Sequence, residues 1–406
     1  MGDIEAPILR VISDIADIDA AQWDACANPP NQPYDPFLSY DFFFAVEKSD
    51  SAIAQTGWQA QHLIVERQTI AEGQKHGQIE AIMPLYLKAH SQGEYVFDHG
   101  WAEAFYRAGG RYYPKLLCAI PFTPVAGRRL LVKAGQHADL ARKALIRGAK
   151  QLTDRLDLSS LHINFLPETD WQWLSQQGFL QRIDQQFHWQ NEGYRDFDDF
   201  LATLASRKRK TLKKERKRAA ENDIHIEWLT GDTLSEAHWD AFYTFYTHTG
   251  ARKWGQPYLT RTFFSMLHAR MADKLLLIMA KRGDHYIAGA LNLIGDDTLY
   301  GRNWGCIENH PFLHFECCYY QAIDFAIAHK LARVEAGAQG THKLARGYLP
   351  VRTHSVHYIP HHGLRAAVAH YLEQERQDVD HTIDMLSHFT PFRKNQTTKK
   401  ADKESR

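Results

Sequence analysis

The 406-residue sequence contains no run of 18 uncharged apolar residues, only five cysteines and no net charge. The first absence excludes a membrane-spanning helix on length. Because 48 basic and 48 acidic residues cancel, the chain as a whole has no field that attracts nucleic acid or anionic lipid, and any site for a polyanion must be local. The odd number and wide scatter of the cysteines predict buried thiols in a reducing compartment rather than a disulfide framework.

Two further absences concern localisation and metals. The N-terminal segment is acidic and lacks the basic region and long apolar stretch of a signal peptide, so we expect a cytoplasmic protein. Neither a His-Glu-x-x-His motif nor a paired Cys-x-x-Cys motif occurs, and we expect no metal site. Metal-dependent hydrolysis is an alternative that rests on His314-x-Glu316, His342 and His354-x-x-His357, but 23 histidines place some of them close together by chance.

Length and composition predict two globular lobes. A chain of 406 residues is too long for one ordinary core, and 44% hydrophobic with 24% charged residues is typical of globular domains. We place the boundary near Asn191-Glu192-Gly193. This predicts an N-terminal lobe over residues 1–192, a C-terminal lobe over residues 193–393 and a disordered tail over residues 394–406.

The second half of the chain contains a clear order of elements. Apolar runs separated by turn residues predict an antiparallel meander of three strands, Lys274–Lys281, His285–Ile294 and Thr298–Trp304. The long apolar segment Phe312–Lys330 then predicts a buried helix, and Leu331–Ala338 predicts a short strand.

The first half repeats this order more weakly. Strands are predicted near Ala60–Arg67 and Gln78–Lys88, a helix over Ala138–Leu156 and a further strand over Ser160–Leu166. The repeat predicts an α/β (α+β) fold of two tandem lobes, each a mixed, mostly antiparallel sheet flanked by helices.

One short segment carries charge of a single sign. Ser206–Ala220 holds nine Lys or Arg residues and one acid, Glu215. Like charges on neighbouring helical turns repel, so solvent or an anionic ligand must offset them. The segment therefore predicts either an exposed linker helix or a helix that binds a phosphate-bearing donor or acceptor.

Several segments resemble the FemAB-like N-acyltransferases of the GNAT superfamily, and the resemblance spans roughly Asp17 to Glu375. It implies two GNAT-like lobes, with the active cleft mainly in the second. It also implies N-acyl transfer to the amine of a small molecule or peptide, and a peptidoglycan precursor is one such acceptor. The segments that carry it are Tyr300–Cys306, Leu313–Tyr320 and Glu335–Pro350, with Ala108–Lys115 and Pro121–Leu130 in the first half.

The resemblance leaves the acyl donor open. Fem proteins proper use aminoacyl-tRNA, whereas most GNAT enzymes use acyl-CoA. We expect acyl-CoA or acetyl-CoA as the donor; the alternatives are aminoacyl-tRNA held by the basic helix 206–220 and a non-catalytic binding module. Neither the long helical hairpin typical of tRNA users nor the Gln/Arg-x-x-Gly-x-Gly/Ala fingerprint for coenzyme A is recognisable.

The candidate site residues follow from this architecture, in which the loop after the meander holds the donor's phosphates. In that loop we expect Gly305, Cys306 and Asn309 to bind the donor. The catalytic base is predicted among ionisable groups near the helix start, the short strand and the glycine-bounded loop that follows: Glu316, Glu335 and His342. Cys317 and Cys318 are expected to be inert core thiols. Substrate contacts are predicted for Arg302, Trp304, His314, Gln339, Lys343 and Arg346.

Overall fold

The computed structural model describes residues 7–67, 77–253, 257–337 and 340–393. Its strands in chain order are β1 (Ile8–Ile12), β2 (Trp58–Ala60), β3 (His62–Arg67), β4 (Gln78–Met83), β5 (Leu85–Lys88), β6 (Lys115–Cys118), β7 (Leu131–Val132), β8 (Leu161–Leu166), β9 (Leu180–Gln190), β10 (Ile224–Leu229), β11 (Leu275–Arg282), β12 (His285–Ile294), β13 (Thr298–Cys306), β14 (Arg333–Glu335) and β15 (Leu349–Tyr358).

Besides α-helices, the structure contains shorter helical segments of other types. A π-helical turn (Glu316–Tyr320) joins two of the α-helices, and a 3-10 helix (Thr341–Arg346) precedes β15. The α-helices are α1 (Ala20–Ala27), α2 (Tyr40–Lys48), α3 (His99–Arg107), α4 (Ala138–Arg155), α5 (Glu168–Gln176), α6 (Phe197–Thr203), α7 (Ser206–Ala219), α8 (Glu236–Lys253), α9 (Arg261–Met271), α10 (Leu313–Phe315), α11 (Gln321–Ala328) and α12 (His362–Ser387).

The chain divides into two compact units, each made of three segments. The first comprises Met1–Asp184, Pro257–Ala272 and Arg352–Asp380, and the second comprises Gln185–Gln256, Asp273–Val351 and His381–Arg406. The lobe boundary at residue 192 stays a prediction, and the predicted tail over residues 394–406 lies outside the described residues. In the part of the chain that is described, no helix is both long and apolar enough to span a membrane.

The first unit contains two sets of paired strands. β1, β3, β4 and β7 form an antiparallel sheet, while β15, β8, β6, β5 and β2 pair in that order with β6 and β8 parallel. The predicted strands Ala60–Arg67 and Gln78–Lys88 were wrong as single strands, because each is split between the two sets. Pro84 separates β4 from β5, and a proline cannot donate to the ladder.

The second unit contains the predicted meander. β11, β12 and β13 are antiparallel neighbours, β10 extends the sheet on one side, and β14 joins β13 in parallel on the other. The predicted helix is confirmed as a continuous helical segment from Leu313 to Ala328, and its apolar side packs on the sheet with Leu276, Ala290 and Val334. The core of this unit therefore lies between the sheet and this helical segment.

Candidate functional site

The second unit has a cleft where two parallel strands part. β13 and β14 pair only over Thr298–Tyr300 and Arg333–Glu335, after which β13 continues to Cys306 while β14 ends. Gly337, at φ 77°, turns the chain away. The resulting cavity of about 90 Å³, which we call the β13–β14 cleft, is lined by Ala290, Leu291, Asn292, Gly301, Arg302, Asn303, Trp304, His314, Cys318, Tyr319 and Ala336.

A β-bulge shapes the sheet side of the cleft. Leu291 is opposite Asn303 and Asn292 is opposite Gly301, so Arg302 is the extra residue on β13. Bulges bend a strand and change the direction of its side chains, and they are common beside functional sites. Asn292 is only 1% exposed and its amide donates to the carbonyl of Ala290 at 3.2 Å, which fixes a polar group in an otherwise apolar strand.

The π-helical turn shapes the opposite wall. Single π-turns inside α-helices occur frequently at functional sites because the extra residue rotates the side chains that follow. Here the turn places Cys318 and Tyr319 in the cleft together with His314 of α10. Cys317 is fully buried, and burial raises the pKa of its thiol, in keeping with a core role; Cys318 differs, because it lines the cleft.

Tyr319 and His342 form a hydrogen-bonded pair at this wall. The Tyr319 hydroxyl lies 2.9 Å from Nε2 of His342. Burial raises the pKa of Tyr319, whereas burial and the nearby charges of Arg346 and Lys343 lower the pKa of His342. Both groups are therefore neutral at pH 7, which is the state that a proton-transfer pair requires before the reaction.

Of the predicted site residues, four meet around the cleft. Arg302, Trp304 and His314 line it, and the ring centroids of Trp304 and His314 are 5.3 Å apart. His342 adjoins it through Tyr319, and its ring centroid is 6.4 Å from that of His314. Gln339 lies outside the described residues.

The two predicted catalytic carboxylates lie elsewhere. Glu316 accepts hydrogen bonds from Arg216 at 2.9 Å and from Gln321 at 2.7 Å; burial raises its pKa, while Arg216 opposes the shift. Strand alternation directs Glu335 to the face opposite Val334, whose side chain is in the core, and Arg333 Nε lies 3.4 Å from its carboxylate. Their catalytic roles stay predictions.

Lys343 and Arg346 were predicted to contact substrate, and the structure buries both, at 2% and 6% exposure. The Lys343 ammonium donates to the carbonyls of Ala336 at 2.6 Å and Gly337 at 2.9 Å, directly after the end of β14. The lysine therefore holds the backbone at the point where the pairing of β13 and β14 has ended.

Burial lowers the pKa of Lys343 to about 8 from an ordinary value of 10.5, and this predicts a pH dependence. Between these values the unfolded chain binds more protons than the folded one, so the free energy of unfolding rises with pH. Relative to a Lys343→Met variant, we expect the wild type to gain stability from pH 8 to 9.5, by at most about 1.4 kcal/mol per pH unit. Urea unfolding of both proteins measures it; parallel pH curves would contradict the prediction.

The predicted donor loop is already occupied by protein contacts. Gly305 and Cys306 belong to β13, not to a loop, because β13 pairs with β12 to its last residue. The Cys306 amide donates to Oγ1 of Thr249 at 3.1 Å, and a Cβ on Gly305 would lie 2.2 Å from the backbone of Phe245. These two positions pack against α8.

The rest of this loop contains one carboxylate, that of Glu308. Glu308 pairs with Arg282 and His310, each at 2.7 Å, and these partners lower its pKa to about 2. Asn309 is exposed beside this carboxylate. Arg282, a cation beside this loop, is thus already paired with a carboxylate of the protein. The acyl-CoA donor stays a prediction.

The basic segment forms α7, and its charges divide into two groups. Arg216 points inward to Glu316 and to Asp324, at 2.9 and 2.6 Å, and Lys213 pairs with Asp198 at 2.8 Å. Among the described residues no acidic side chain lies within 4 Å of the basic groups of Arg207, Lys208, Arg209, Lys210, Lys214, Lys217 and Arg218.

Two hollows lie along this outward face, which we call the cationic face of α7. One is a cavity of about 350 Å³ lined by Arg207, Lys208, Thr211, Leu212, Glu215, Ala345 and Arg346. The other is an open groove of about 510 Å³ lined by Ser206, Arg207, Lys210, Thr211 and Lys214. The cavity also contains Glu215, which is paired with Arg346, and cations are in excess in both hollows. A concave surface with an excess of cations suits an anionic ligand.

The predicted α/β fold class is confirmed, because mixed sheets flanked by helices build both units and the fold is similar to that of FemX. The chain belongs to the FemAB-like family, described as peptidoglycan biosynthesis/recognition, which matches residues 14–394. The predicted family resemblance is thereby confirmed as well. No curated protein matches the chain.

Three solved structures are similar to this chain, and FemX among them supports the fold. FemX is 14% identical, with 87% of this chain and 98% of that chain covered and a TM-score of 0.53. L-PGS from Bacillus licheniformis is 9% identical over 84% and 98% of the two chains, with a TM-score of 0.48. A tandem GNAT protein from the clavulanic acid biosynthesis pathway is 11% identical over 87% and 98%, with a TM-score of 0.43.

Tyr319 and Asn292 are among the cleft residues that sequence reasoning missed. A tyrosine in an apolar helix, such as Tyr319, is more often a packing residue, although its neighbours His314 and Cys318 are polar or reactive groups in the same helix. Asn292 interrupts the apolar run of β12, and a polar side chain inside a predicted buried strand was the available signal.

Proposed function

We propose that the second unit transfers an aminoacyl group from a carrier to the amine of a peptidoglycan precursor, with the reacting carbonyl in the β13–β14 cleft. The observation that carries this proposal is the neutral Tyr319–His342 pair at the wall of a cleft whose other wall is a strand edge released from its partner. The family description names peptidoglycan biosynthesis or recognition, which supports this choice of acceptor.

The chemistry uses groups that this cleft holds. The amine attacks the ester carbon of the donor and forms the new C–N bond, while the oxyanion accepts hydrogen bonds from backbone N–H groups on the β13 edge beyond Tyr300. The amine proton passes through the Tyr319 hydroxyl to Nε2 of His342. When the ester C–O bond breaks, the same pair returns the proton to the leaving oxygen, so an ester and an amine become an amide and an alcohol.

The charges beside the cleft support aminoacyl-tRNA as the donor. The cationic face of α7 has the character of a phosphate-backbone site, whereas Arg282 beside the predicted donor loop is already paired with Glu308. Arg346 lines the 350 Å³ cavity of this face and donates to the carbonyl of His342 at 2.8 Å, so a ligand there lies next to the catalytic pair.

A donor competition tests the proposal. Purified protein is incubated with soluble peptidoglycan precursors and either mixed radiolabelled aminoacyl-tRNA or labelled acetyl-CoA, and label is followed into the precursor fraction. Transfer from aminoacyl-tRNA is expected. Transfer from acetyl-CoA alone would overturn the donor assignment and keep the transferase, while binding of precursor without transfer from either donor would favour the non-catalytic module.

A further inference from the structure

Two adjacent residues inside the basic helix face the protein instead of solvent. Glu215, the only acid of α7, is 8% exposed, and its Oε2 accepts from the Arg346 guanidinium at 2.8 Å and from the Tyr320 hydroxyl. Arg216 donates to Glu316 at 2.9 Å and to Asp324 at 2.6 Å. Together they connect α7 to the first and last residues of the π-helical turn, Glu316 and Tyr320, and to Asp324 in α11.

These contacts lead from Glu215 to the cleft by two short routes. Arg346, held by Glu215, donates to the carbonyl of His342 at 2.8 Å, and its guanidinium lies 3.5 Å from the ring centroid of Phe315. His342 in turn holds the Tyr319 hydroxyl. The second route is covalent, since Tyr320 is the residue after Tyr319.

The buried Glu215–Arg346 pair fixes this geometry because neither charge tolerates the loss of the other. A buried ion deprived of its partner must find a new one or draw in water, and either response moves the residues around it. The residues around this pair are the ones that hold Tyr319 and His342.

We propose that Glu215 is a positioning residue, which sets the Tyr319–His342 wall of the cleft from within α7 and couples a ligand on the cationic face of α7 to the chemistry in the cleft. The coupling part rests on the proposed function. The positioning part does not, because it concerns contacts inside the protein alone. Glu215 itself does not touch the reacting atoms.

The alkylation rates of the adjacent thiols Cys317 and Cys318 test the positioning role of Glu215. Cys318 lines the cleft and Cys317 is fully buried, so peptide mapping after timed iodoacetamide treatment reports on the cleft and on the core within one peptide. In Glu215→Gln we expect Cys318 to react at least about fivefold faster while Cys317 stays protected. The matched control is Glu221→Gln, which removes an exposed carboxylate just beyond α7.

A second variant separates positioning from stability. Glu215→Gln combined with Arg346→Met removes both buried charges, so the melting temperature is expected to recover while Cys318 stays reactive. An unchanged rate at Cys318 in both variants, or a rise at Cys317 in step with Cys318 in both, would overturn the proposal in favour of a purely structural role.

Bulk deacylated tRNA tests the coupling, with binding measured separately by filter retention. Bound tRNA is expected to change the Cys318 rate about threefold or more in the wild type and to leave it unchanged in Glu215→Gln. Binding with an equal response in both proteins, or in neither, would refute the coupling and leave the donor site standing. Failure of tRNA to bind the wild type would refute the donor site and the coupling together, and the thiol rates without tRNA would still decide whether Glu215 positions the wall.

Discussion

Replacing Tyr319 by phenylalanine is expected to lower turnover about 10²–10⁴-fold, because the variant loses the hydroxyl that carries the proton between the substrate and His342. The change deletes one oxygen from a ring that otherwise keeps its packing, so the melting temperature and the affinity for the donor should change little. Single-turnover rates with aminoacyl-tRNA and precursor, together with thermal denaturation, measure both effects.

Tyr286→Phe is the matched control. It removes the same atom from a tyrosine in the same unit, where the hydroxyl bonds Glu227 on β10 and not a residue of the cleft. Its turnover should equal that of the wild type. Full turnover in Tyr319→Phe would refute the assignment of the proton path.

The Tyr319–His342 pair also predicts how the reaction rate falls at acidic pH. Only neutral His342 can accept a proton, and burial together with Arg346 and Lys343 lowers its pKa below the ordinary 6.5. The reaction rate should therefore stay constant as the pH is lowered to 6.5 and should fall only below that value. A midpoint at or above 6.5 would point to a different base.

The elements around the cleft could be predicted from the sequence because each has a local signal. Turn residues between apolar runs located β11, β12 and β13, and the apolar length of the segment after Pro311 located the helix. β14 proved shorter than predicted: it ends at Glu335, and the next two carbonyls, of Ala336 and Gly337, accept from Lys343. That contact depends on the tertiary fold and leaves no local pattern.

Which side chains line the site was less predictable, because this too depends on the tertiary fold. In a helix apolar on all sides, periodicity cannot tell which residues face a cleft, and one π-turn decides that Cys318 and Tyr319 do while Cys317 and Tyr320 do not. Polar composition suggested that Arg346 contacts substrate, but its partner Glu215 lies 131 residues away in sequence. Composition alone did not predict the burial of such a long-range ion pair.

The cationic face of α7 supports the prediction with the largest effect on binding. Converting Arg207, Lys210 and Lys214 to glutamine should lower the affinity for aminoacyl-tRNA about 10²-fold near 0.15 M salt, since each lost phosphate contact removes about 0.9 from the slope of log K against log salt. These three residues line the open groove and pair with no acidic side chain of the described residues, whereas Lys213 already pairs with Asp198. Equilibrium binding over a salt series measures affinity and slope together.

The control for this charge change lies on α4. Converting the exposed residues Lys143, Arg147 and Arg155 to glutamine removes the same net charge from a helix of the first unit. If binding reflected only the overall charge of the molecule, both triple variants would lose affinity equally. A local site predicts that the α7 variant loses about two to three from the salt slope while the α4 variant keeps it. Since the whole chain carries no net charge, such a difference would assign the attraction for the donor to the cationic face of α7.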